Sequence, residues 1–290
     1  MASDFLVDHV IFSPRVNVRF NPSEAVNLRV SYAGGYRAPQ AFDEDMHIAI
    51  VGGKRVRIRL ADDLREERSH SVSLSADLYH TFGKVQTNLL VEGFYTILDD
   101  VFALRDMDDA ADGGKVKERY NGSGATVRGF NVEGRAAFTR WFELQAGVTL
   151  QQSRYKEPEF WSEDAEVPPV RRMFRTPDAY GYFTASFKPV RNFTADLSGT
   201  CTGSMLVQHM AGSGVAQDVA VSTPSFFDMN IRLSYDVRIY KEITMQLYGG
   251  VQNLFNAYQK DFDKGVDRDS GYIYGPSLPR SWFVGAKFSF

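Results

Sequence analysis

Apolar residues occupy every second position along most of this chain, which is the period of a β-strand whose two faces differ chemically. The clearest case is SFFDMNIRLSYDVRIY, residues 225–240. Its apolar face carries Phe227, Met229, Ile231, Leu233, Tyr235, Val237 and Ile239. Strands of soluble proteins usually run about 5–6 residues, whereas a tilted bilayer crossing needs about 9–11. This segment is therefore long enough to cross a membrane.

The same alternation recurs along the chain and predicts about eleven strands in all. The connections between these strands alternate strictly between short and long. The short connections are residues 21–25, 81–84, 139–141, 189–192 and 240–242. The long connections are roughly residues 38–68, 105–119, 156–177, 210–223 and 254–279. In an up-and-down sheet, this order places every short turn at one end and every long loop at the other.

Short turns at one end and long loops at the other are typical of outer-membrane barrels. The pattern therefore predicts an all-β fold, an antiparallel up-and-down transmembrane β-barrel. Two alternatives stay open at this point. One is a soluble β-sandwich acting as a binding module, although its strands would be shorter and its connections less clearly sorted. The other is a complete small outer-membrane porin or barrel enzyme.

Composition and short motifs narrow the function classes. The formal net charge is −3 over 290 residues, so electrostatics gives no reason to expect nucleic acid as a partner. The chain has no apolar run long enough for a transmembrane helix, and its start lacks a signal-peptide pattern. The single cysteine, Cys201, excludes an internal disulfide framework. No motif such as G-x-S-x-G or H-E-x-x-H occurs, and we expect neither an enzyme nor a cofactor.

Four stretches carry a family resemblance. They are NLRVSYAGGYRAPQAFDEDMHI (27–48), VEGFYTILDDVF (91–102), YGGVQNLFNAYQKDFDKG (248–265) and SGYIYGPSLPRSWFVGAKFSF (270–290). YRAPQ, VQNLFNAYQ and the ending GxxxPRxxxxGxxFxF with its final Phe are similar to patterns of the TonB-dependent outer-membrane receptors. The resemblance covers essentially the whole chain, and its motifs are most similar to those of receptors from Bacteroides-type bacteria.

The resemblance implies a 22-stranded barrel around an N-terminal plug domain. With about eleven strands, residues 1–290 are expected to form the C-terminal half of such a barrel, with the plug domain absent. The implied function is TonB-energised uptake of a scarce ligand across the bacterial outer membrane: a ferric siderophore, haem, cobalamin or an oligosaccharide. The implied partners are outer-membrane lipid, the plug and N-terminal half of the barrel, the TonB complex and the barrel-assembly machinery. A surface lipoprotein is a further candidate partner.

The resemblance places ligand binding among the loops on the long-loop side. In this chain the first such loop supplies the candidates Arg37, Gln40, Asp43, Glu44, Asp45 and His47. A solvated hairpin with surface salt bridges is the alternative reading of these charges, because such pairs are common and contribute little. Asp43, Asp45 and His47 are also a weak metal-site candidate, since carboxylate and imidazole ligands suit divalent cations.

The last loop and the last strand contain two further candidates. A weak calcium candidate is formed by Asp261, Asp263, Asp267 and Asp269. The acid spacing departs from the EF-hand pattern after Asp263, so a structured polar loop is the alternative. The final strand carries the expected assembly signal Trp282, Val284, Phe288 and Phe290. We expect Trp282 at the outer, extracellular interface of the membrane and Phe290 at the periplasmic rim.

Overall fold

The computed structural model describes residues 9–39, 56–107, 115–162, 164–240 and 242–290. Strands dominate these ranges, and within them no helix is long and apolar enough to cross a membrane. The strands are β1 (Arg15–Ser23), β2 (Val26–Arg37), β3 (Val56–Leu60), β4 (Glu67–Phe82), β5 (Val85–Asp99), β6 (Phe102–Met107), β7 (Lys115–Asn121), β8 (Ala125–Thr139), β9 (Phe142–Glu159), β10 (Val170–Arg172), β11 (Ala179–Val190), β12 (Phe193–Thr202), β13 (Leu206–His209), β14 (Val219–Ser222), β15 (Phe226–Tyr240), β16 (Ile243–Gln252) and β17 (Ser281–Ser289).

Eleven long strands form one antiparallel sheet, in the order β1-β2-β4-β5-β8-β9-β11-β12-β15-β16-β17, and β10 pairs with β9. This confirms the predicted all-β, up-and-down architecture and its long strands. At one end, tight turns close the hairpins between the pairs Ser23–Val26, Phe82–Val85, Thr139–Phe142, Val190–Phe193 and Tyr240–Ile243. The long connections all lie at the opposite end, as the sequence predicts.

The long connections contain additional strands that the sequence did not predict. Strands β3, β7 and β6 form a separate three-stranded sheet, in which β3 and β7 are parallel, and β13 pairs with β14 as a hairpin. These strands are too short for their alternation to be distinguished from that of an irregular loop. Their pairing depends on partners elsewhere in the chain.

The first strand begins later than its apolar pattern predicts. Apolar residues alternate from Val10 to Phe20, with Pro14 in the series, but β1 starts at Arg15. Pro14 precedes it, and proline lacks the amide proton that a ladder hydrogen bond requires. The carbonyl oxygen of Pro14 still accepts a 2.8 Å hydrogen bond from the Gly34 amide. Proline therefore limits the strand at a point that period two does not reveal.

The side chains of the main sheet sort onto one apolar and one polar face. Val30 on β2 pairs with Val18 on β1 and Leu74 on β4, and the same alignment continues to β17. The outward apolar face is exposed over the whole sheet, as shown by Val16, Phe20, Val72, Val91, Phe130, Val148, Leu150, Phe227, Leu233, Leu247 and Val284. We call this surface the apolar band. A continuous band on one face of long antiparallel strands is typical of the lipid-facing surface of a membrane barrel.

The opposite face is polar and is hydrogen-bonded from strand to strand. The Ser31 hydroxyl donates to the Asn17 side-chain oxygen at 2.7 Å, and the Thr149 hydroxyl donates to Asn131 at the same distance. The Ser186 hydroxyl donates to Asp196, also at 2.7 Å. These cross-strand contacts satisfy polar groups on the face that is turned away from the apolar band, as expected for a barrel lumen.

The sheet is open. Strands β1 and β17 lie at its two edges, and each pairs with one neighbour within the described part of the chain. Because eleven strands alternate in direction, β1 and β17 both run from the loop end toward the turn end. Within the described residues, the main sheet therefore has two unpaired hydrogen-bonding edges.

Candidate functional site

The loop end is organised by residues 253–280, which connect β16 to β17. Asn253 fastens this segment at its start and has an exposed fraction of 2%. Its side-chain amide donates to the carbonyl oxygens of Ala257 and Leu278, each at 2.9 Å, and its side-chain oxygen accepts from the Ala257 amide at 2.7 Å. Asn253 has a φ of 50°, a conformation that asparagine tolerates better than most residues. Asn253 of the VQNLFNAYQ motif thus holds the two ends of the segment together, and we call this residue the loop clamp.

Gln259 provides a second set of side-chain hydrogen bonds that holds the same segment together. Its amide nitrogen donates to the Tyr272 carbonyl at 3.0 Å, and its side-chain oxygen accepts from the Tyr274 amide at 2.9 Å. The phenol groups of Tyr272 and Tyr274 both donate to Asp261, at 2.8 Å and 2.6 Å. Tyr272 and Tyr274 also pack into the buried loop-end core with Val207 and Phe226.

The β13–β14 hairpin is joined to this segment through His209. The imidazole of His209 stacks on the Tyr272 ring, with centroids 3.7 Å apart and planes 4° from parallel. Its Nε2 lies 3.0 Å from both carboxylate oxygens of Asp263. Sequence reasoning missed this pairing, because the two residues are far apart in the chain and His209 belongs to no recognised motif.

The four aspartates of the calcium candidate mostly have structural partners. Asp261 accepts from the two tyrosines, and Asp263 faces His209 and accepts from the Asp269 amide at 3.1 Å. Asp269 accepts from the amides of Met210 and Gly271, each at 2.8 Å. In the described ranges, no group of three or more His, Cys, Asp and Glu side chains is placed to hold a metal ion. The described aspartates thus belong to a hydrogen-bonded polar loop, and calcium binding by this loop stays a prediction.

The pKa values of Asp261 and of its two tyrosine partners, Tyr272 and Tyr274, shift in opposite directions. Burial and the hydrogen bond to Asp261 raise the pKa of the Tyr272 phenol. Burial and the hydrogen bond to Asp261 likewise raise the pKa of the Tyr274 phenol. Partial burial acts to raise the pKa of the Asp261 carboxyl, but the hydrogen bonds from Tyr274 and Tyr272 outweigh it, so this pKa lies below its ordinary value. The folded cluster therefore favours an ionised carboxylate and neutral phenols.

We predict that docking of residues 253–280 is tightest between about pH 4 and pH 10. A lowered carboxyl pKa contributes stability above the unfolded pKa, and this is lost as the pH falls through the folded pKa. A raised phenol pKa contributes stability below about pH 10 that is lost as the pH rises further. Proteolytic protection of the segment should therefore decline at both extremes. In the Asp261→Asn variant, protection should depend much less on pH below about pH 4. If protection at acidic pH declined as it does in the unaltered protein, Asp261 would not be the group responsible.

A cavity of about 250 Å³ lies on the polar face at the loop end. It sits where β12 ends and β15 begins, beneath the segment 253–280. Its lining residues are Thr200, Thr202, Met205, Phe226, Asp228, Gly275 and Pro276. The sequence did not predict this cavity, because Gly275 and Pro276 are brought to it only by the folded last loop.

Of the six predicted ligand-binding residues, Arg37 alone lies among the described residues. The Arg37 guanidinium lies 3.6 Å from the Glu67 carboxylate and 5.3 Å from the centre of the Phe102 ring. These contacts anchor the end of β2 to neighbouring elements. Gln40, Asp43, Glu44, Asp45 and His47 lie outside the described residues. A ligand-binding role for the six residues stays a prediction.

The four residues of the proposed assembly signal lie on or next to β17. Trp282, Val284 and Phe288 are on the exposed apolar band, with Phe290 just beyond the strand. Ser289 pairs with Thr244, beside the last tight turn. Phe290 is therefore at the turn end and Trp282 toward the loop end, as the sequence predicts. Their role in assembly stays a prediction.

Comparison with known families gives a match over most of the chain. A family described as "TonB dependent receptor-like, beta-barrel" matches residues 3–254. Among curated protein sequences, none matches the chain significantly.

Several solved structures share the fold. One is the ferric-catecholate import receptor Fiu of E. coli K12, with a TM-score of 0.61 and 16% identity, covering 94% of this chain and 34% of that one. The FrpB iron transporter of Neisseria meningitidis has a TM-score of 0.61 and 15% identity, over 94% and 38%. The siderophore receptor PirA of Acinetobacter baumannii has a TM-score of 0.61 and 16% identity, over 96% and 41%. The chain thus spans well under half of the length of these structures.

Proposed function

Because the chain belongs to the TonB-dependent receptor-like β-barrel family, we propose that it forms wall and surface loops of an outer-membrane receptor for TonB-energised uptake. Proteins of this family are outer-membrane receptors and transporters rather than enzymes. The observation that carries the proposal is the uninterrupted apolar band across eleven strands, with hydrogen-bonded polar side chains on the reverse face. Such a wall suits a barrel that separates lipid from an aqueous lumen.

The open edges support the assignment of this chain to the C-terminal part of a larger barrel. Since β1 and β17 run in the same direction, pairing them with each other would be parallel. An all-antiparallel closure requires an odd number of additional strands between them, which agrees with eleven further strands in a 22-stranded barrel. In hydrocarbon, each unsatisfied edge group costs several kcal/mol. The strands that complete the ring would come from a further segment of a longer chain or from a second chain.

The odd number of strands in the main sheet disfavours the alternative of a complete small porin or barrel enzyme, because bacterial barrels made from a single chain have even strand numbers. The soluble β-sandwich is disfavoured as well. A sandwich buries the apolar faces of two sheets against each other, whereas the apolar band of this sheet is exposed along its whole width.

We take a ferric siderophore as the first candidate ligand class. The support is that the similar solved structures are described as a ferric-catecholate import receptor and a siderophore receptor. Haem, cobalamin and an oligosaccharide remain alternatives within the same function. A plug domain, the TonB complex, the barrel-assembly machinery and a surface lipoprotein are the partners that this function would involve.

The proposal is tested by barrel closure in the outer membrane. The chain is exported with and without co-production of the segment encoded directly upstream, and each sample is analysed for heat-modifiable gel mobility. We expect the chain alone to give no compact band and to be degraded by trypsin, because its edges are unpaired. With the complementary segment, a compact, trypsin-resistant band should form.

Uptake provides the functional measurement in the same cells. Cells with the completed receptor should accumulate iron-55 from ferric siderophores under iron limitation, and collapse of the proton gradient should abolish this accumulation. A compact band from the chain alone would overturn the partial-barrel assignment. Closure of the barrel without energised accumulation of a siderophore, haem, cobalamin or an oligosaccharide would overturn the transport function.

A further inference from the structure

One carboxylate oxygen at the loop-end cavity has no hydrogen-bond partner among the described residues. Asp228 lines this cavity from β15, on the polar face, and its Oδ1 is buried without a hydrogen-bond partner in the described part of the chain. Thr200 on the neighbouring strand stands directly opposite Asp228 in the sheet register. Buried polar atoms are normally paired. An unpaired carboxylate oxygen beside a cavity therefore indicates that a partner from outside these residues completes the group.

The cavity wall is held in a fixed shape. Gly275 has a φ of 82°, and a Cβ atom at this position would lie 2.7 Å from the Phe226 ring. The loop can approach Phe226 this closely only with glycine at that point. Gln259, with an exposed fraction of 1%, holds the flanking tyrosines in place. The site is thus preformed by the packing of residues 253–280.

The lining combines an apolar wall with a few polar groups. Met205, Phe226 and Pro276 supply apolar surface, whereas Asp228 and the hydroxyls of Thr200 and Thr202 supply polar atoms. Small-molecule sites have this composition, in which polar groups fix the orientation of the ligand. Within the lining, Asp228 is the charged residue. A negative charge attracts cations and hydrogen-bond donors and repels anions.

From this arrangement we propose that the cavity is a binding subsite for a cationic, hydrogen-bond-donating group of a small ligand, such as an ammonium group. Asp228 accepts from that group, and the apolar wall packs against the adjoining carbon atoms. The location at the loop end of the polar face allows entry from the loop side. The inference rests on the proposed function in taking the polar face as a lumen wall. It goes further in assigning the chemical class of the group that is bound there.

The proposal is tested by the charge selectivity of a cysteine placed in the cavity. Thr200→Cys is introduced together with Cys201→Ala, because Cys201 is the native thiol and is exposed. Outer membranes containing the completed receptor are treated with 2-aminoethyl methanethiosulfonate, which is cationic, or its anionic 2-sulfonatoethyl counterpart. Each rate is divided by the rate of the same reagent with a free small thiol. We expect the cationic reagent to react about tenfold faster after this correction.

Asp228→Asn in the same background is the matched variant. It preserves the size of the side chain and removes the charge, so the corrected ratio should fall to about one. Thiol ionisation affects both reagents equally and cancels in the ratio. As a folding control, heat-modifiable mobility should be the same in both variants.

The outcomes that overturn the proposal are distinct. If the cationic and anionic reagents reacted at equal corrected rates in the variant that retains Asp228, or if the anionic reagent reacted faster, the cavity would not select cations. Absence of reaction with either reagent in a correctly closed barrel would show that another part of the protein fills the cavity. Failure of closure itself would count against the proposed function, and it is scored separately by gel mobility.

Discussion

Replacing Leu74 by arginine is expected to destabilise the membrane-inserted barrel by about 2–4 kcal/mol, the cost of a charged side chain on the lipid face near the bilayer midplane. Leu74 lies near the centre of β4, is 61% exposed, and pairs with Val30 and Gly93 on the apolar band. Its guanidinium replacement would enter hydrocarbon far from either interface. The measurement is the free energy of unfolding of the completed receptor, refolded in lipid and titrated with guanidinium chloride.

The neighbouring residue provides the matched control. Ser73 precedes Leu74 on the same strand and faces the polar side, between Ser31 and Phe94. Ser73→Arg introduces the same side chain at almost the same depth, but into the lumen. We expect it to change stability far less than Leu74→Arg. Similar losses for the two variants would contradict the assignment of the two faces.

The second large effect is expected at the loop clamp. Asn253→Ala removes three side-chain hydrogen bonds, leaves backbone groups of Ala257 and Leu278 without these partners, and places alanine at a φ of 50°. Loss of a partner by a buried polar group costs about 1–3 kcal/mol. We therefore expect the docking of residues 253–280 to weaken by about 3 kcal/mol or more. Hydrogen exchange of the amides in this segment measures the change.

Asn256→Gly is the comparison for this variant. Asn256 also has a positive φ, 53°, and its side-chain oxygen accepts one hydrogen bond, from the Arg280 amide at 2.9 Å. Glycine tolerates this backbone conformation, so the variant loses a single contact and should weaken docking by about 1 kcal/mol. If the two variants had equal effects, Asn253 would not be the principal clamp of the loop.

The long strands were predictable because their pattern is local and strongly enforced. On β15, the side chains from Phe227 to Ile239 alternate without interruption, since one face meets lipid and the other meets polar groups. A shift of one residue would reverse both faces. The start of β1 departs from the apolar alternation for a similarly local reason: Pro14 interrupts the ladder without disturbing the alternation around it.

The loop-end site was much less predictable. Period two places Asp228 on the polar face, but it does not reveal that Gly275 and Pro276 close a cavity over it. Likewise, the four aspartates of the last loop suggested a calcium site by their spacing. In the structure, Asp261 accepts hydrogen bonds from two tyrosines and Asp263 faces His209, a residue from a different loop, and the spacing of the aspartates reveals neither pairing.

The sequence by itself determined the class of fold, the eleven long strands, their apolar and polar faces, and the end of the sheet at which the turns lie. These features follow from neighbouring residues and from the contrast between hydrocarbon and water. The tertiary structure alone decided how residues 253–280 dock on the β13–β14 hairpin, where the cavity forms, and how the short strands within the long connections pair. Those features depend on contacts between residues far apart in the chain, whose pairing no local periodicity encodes.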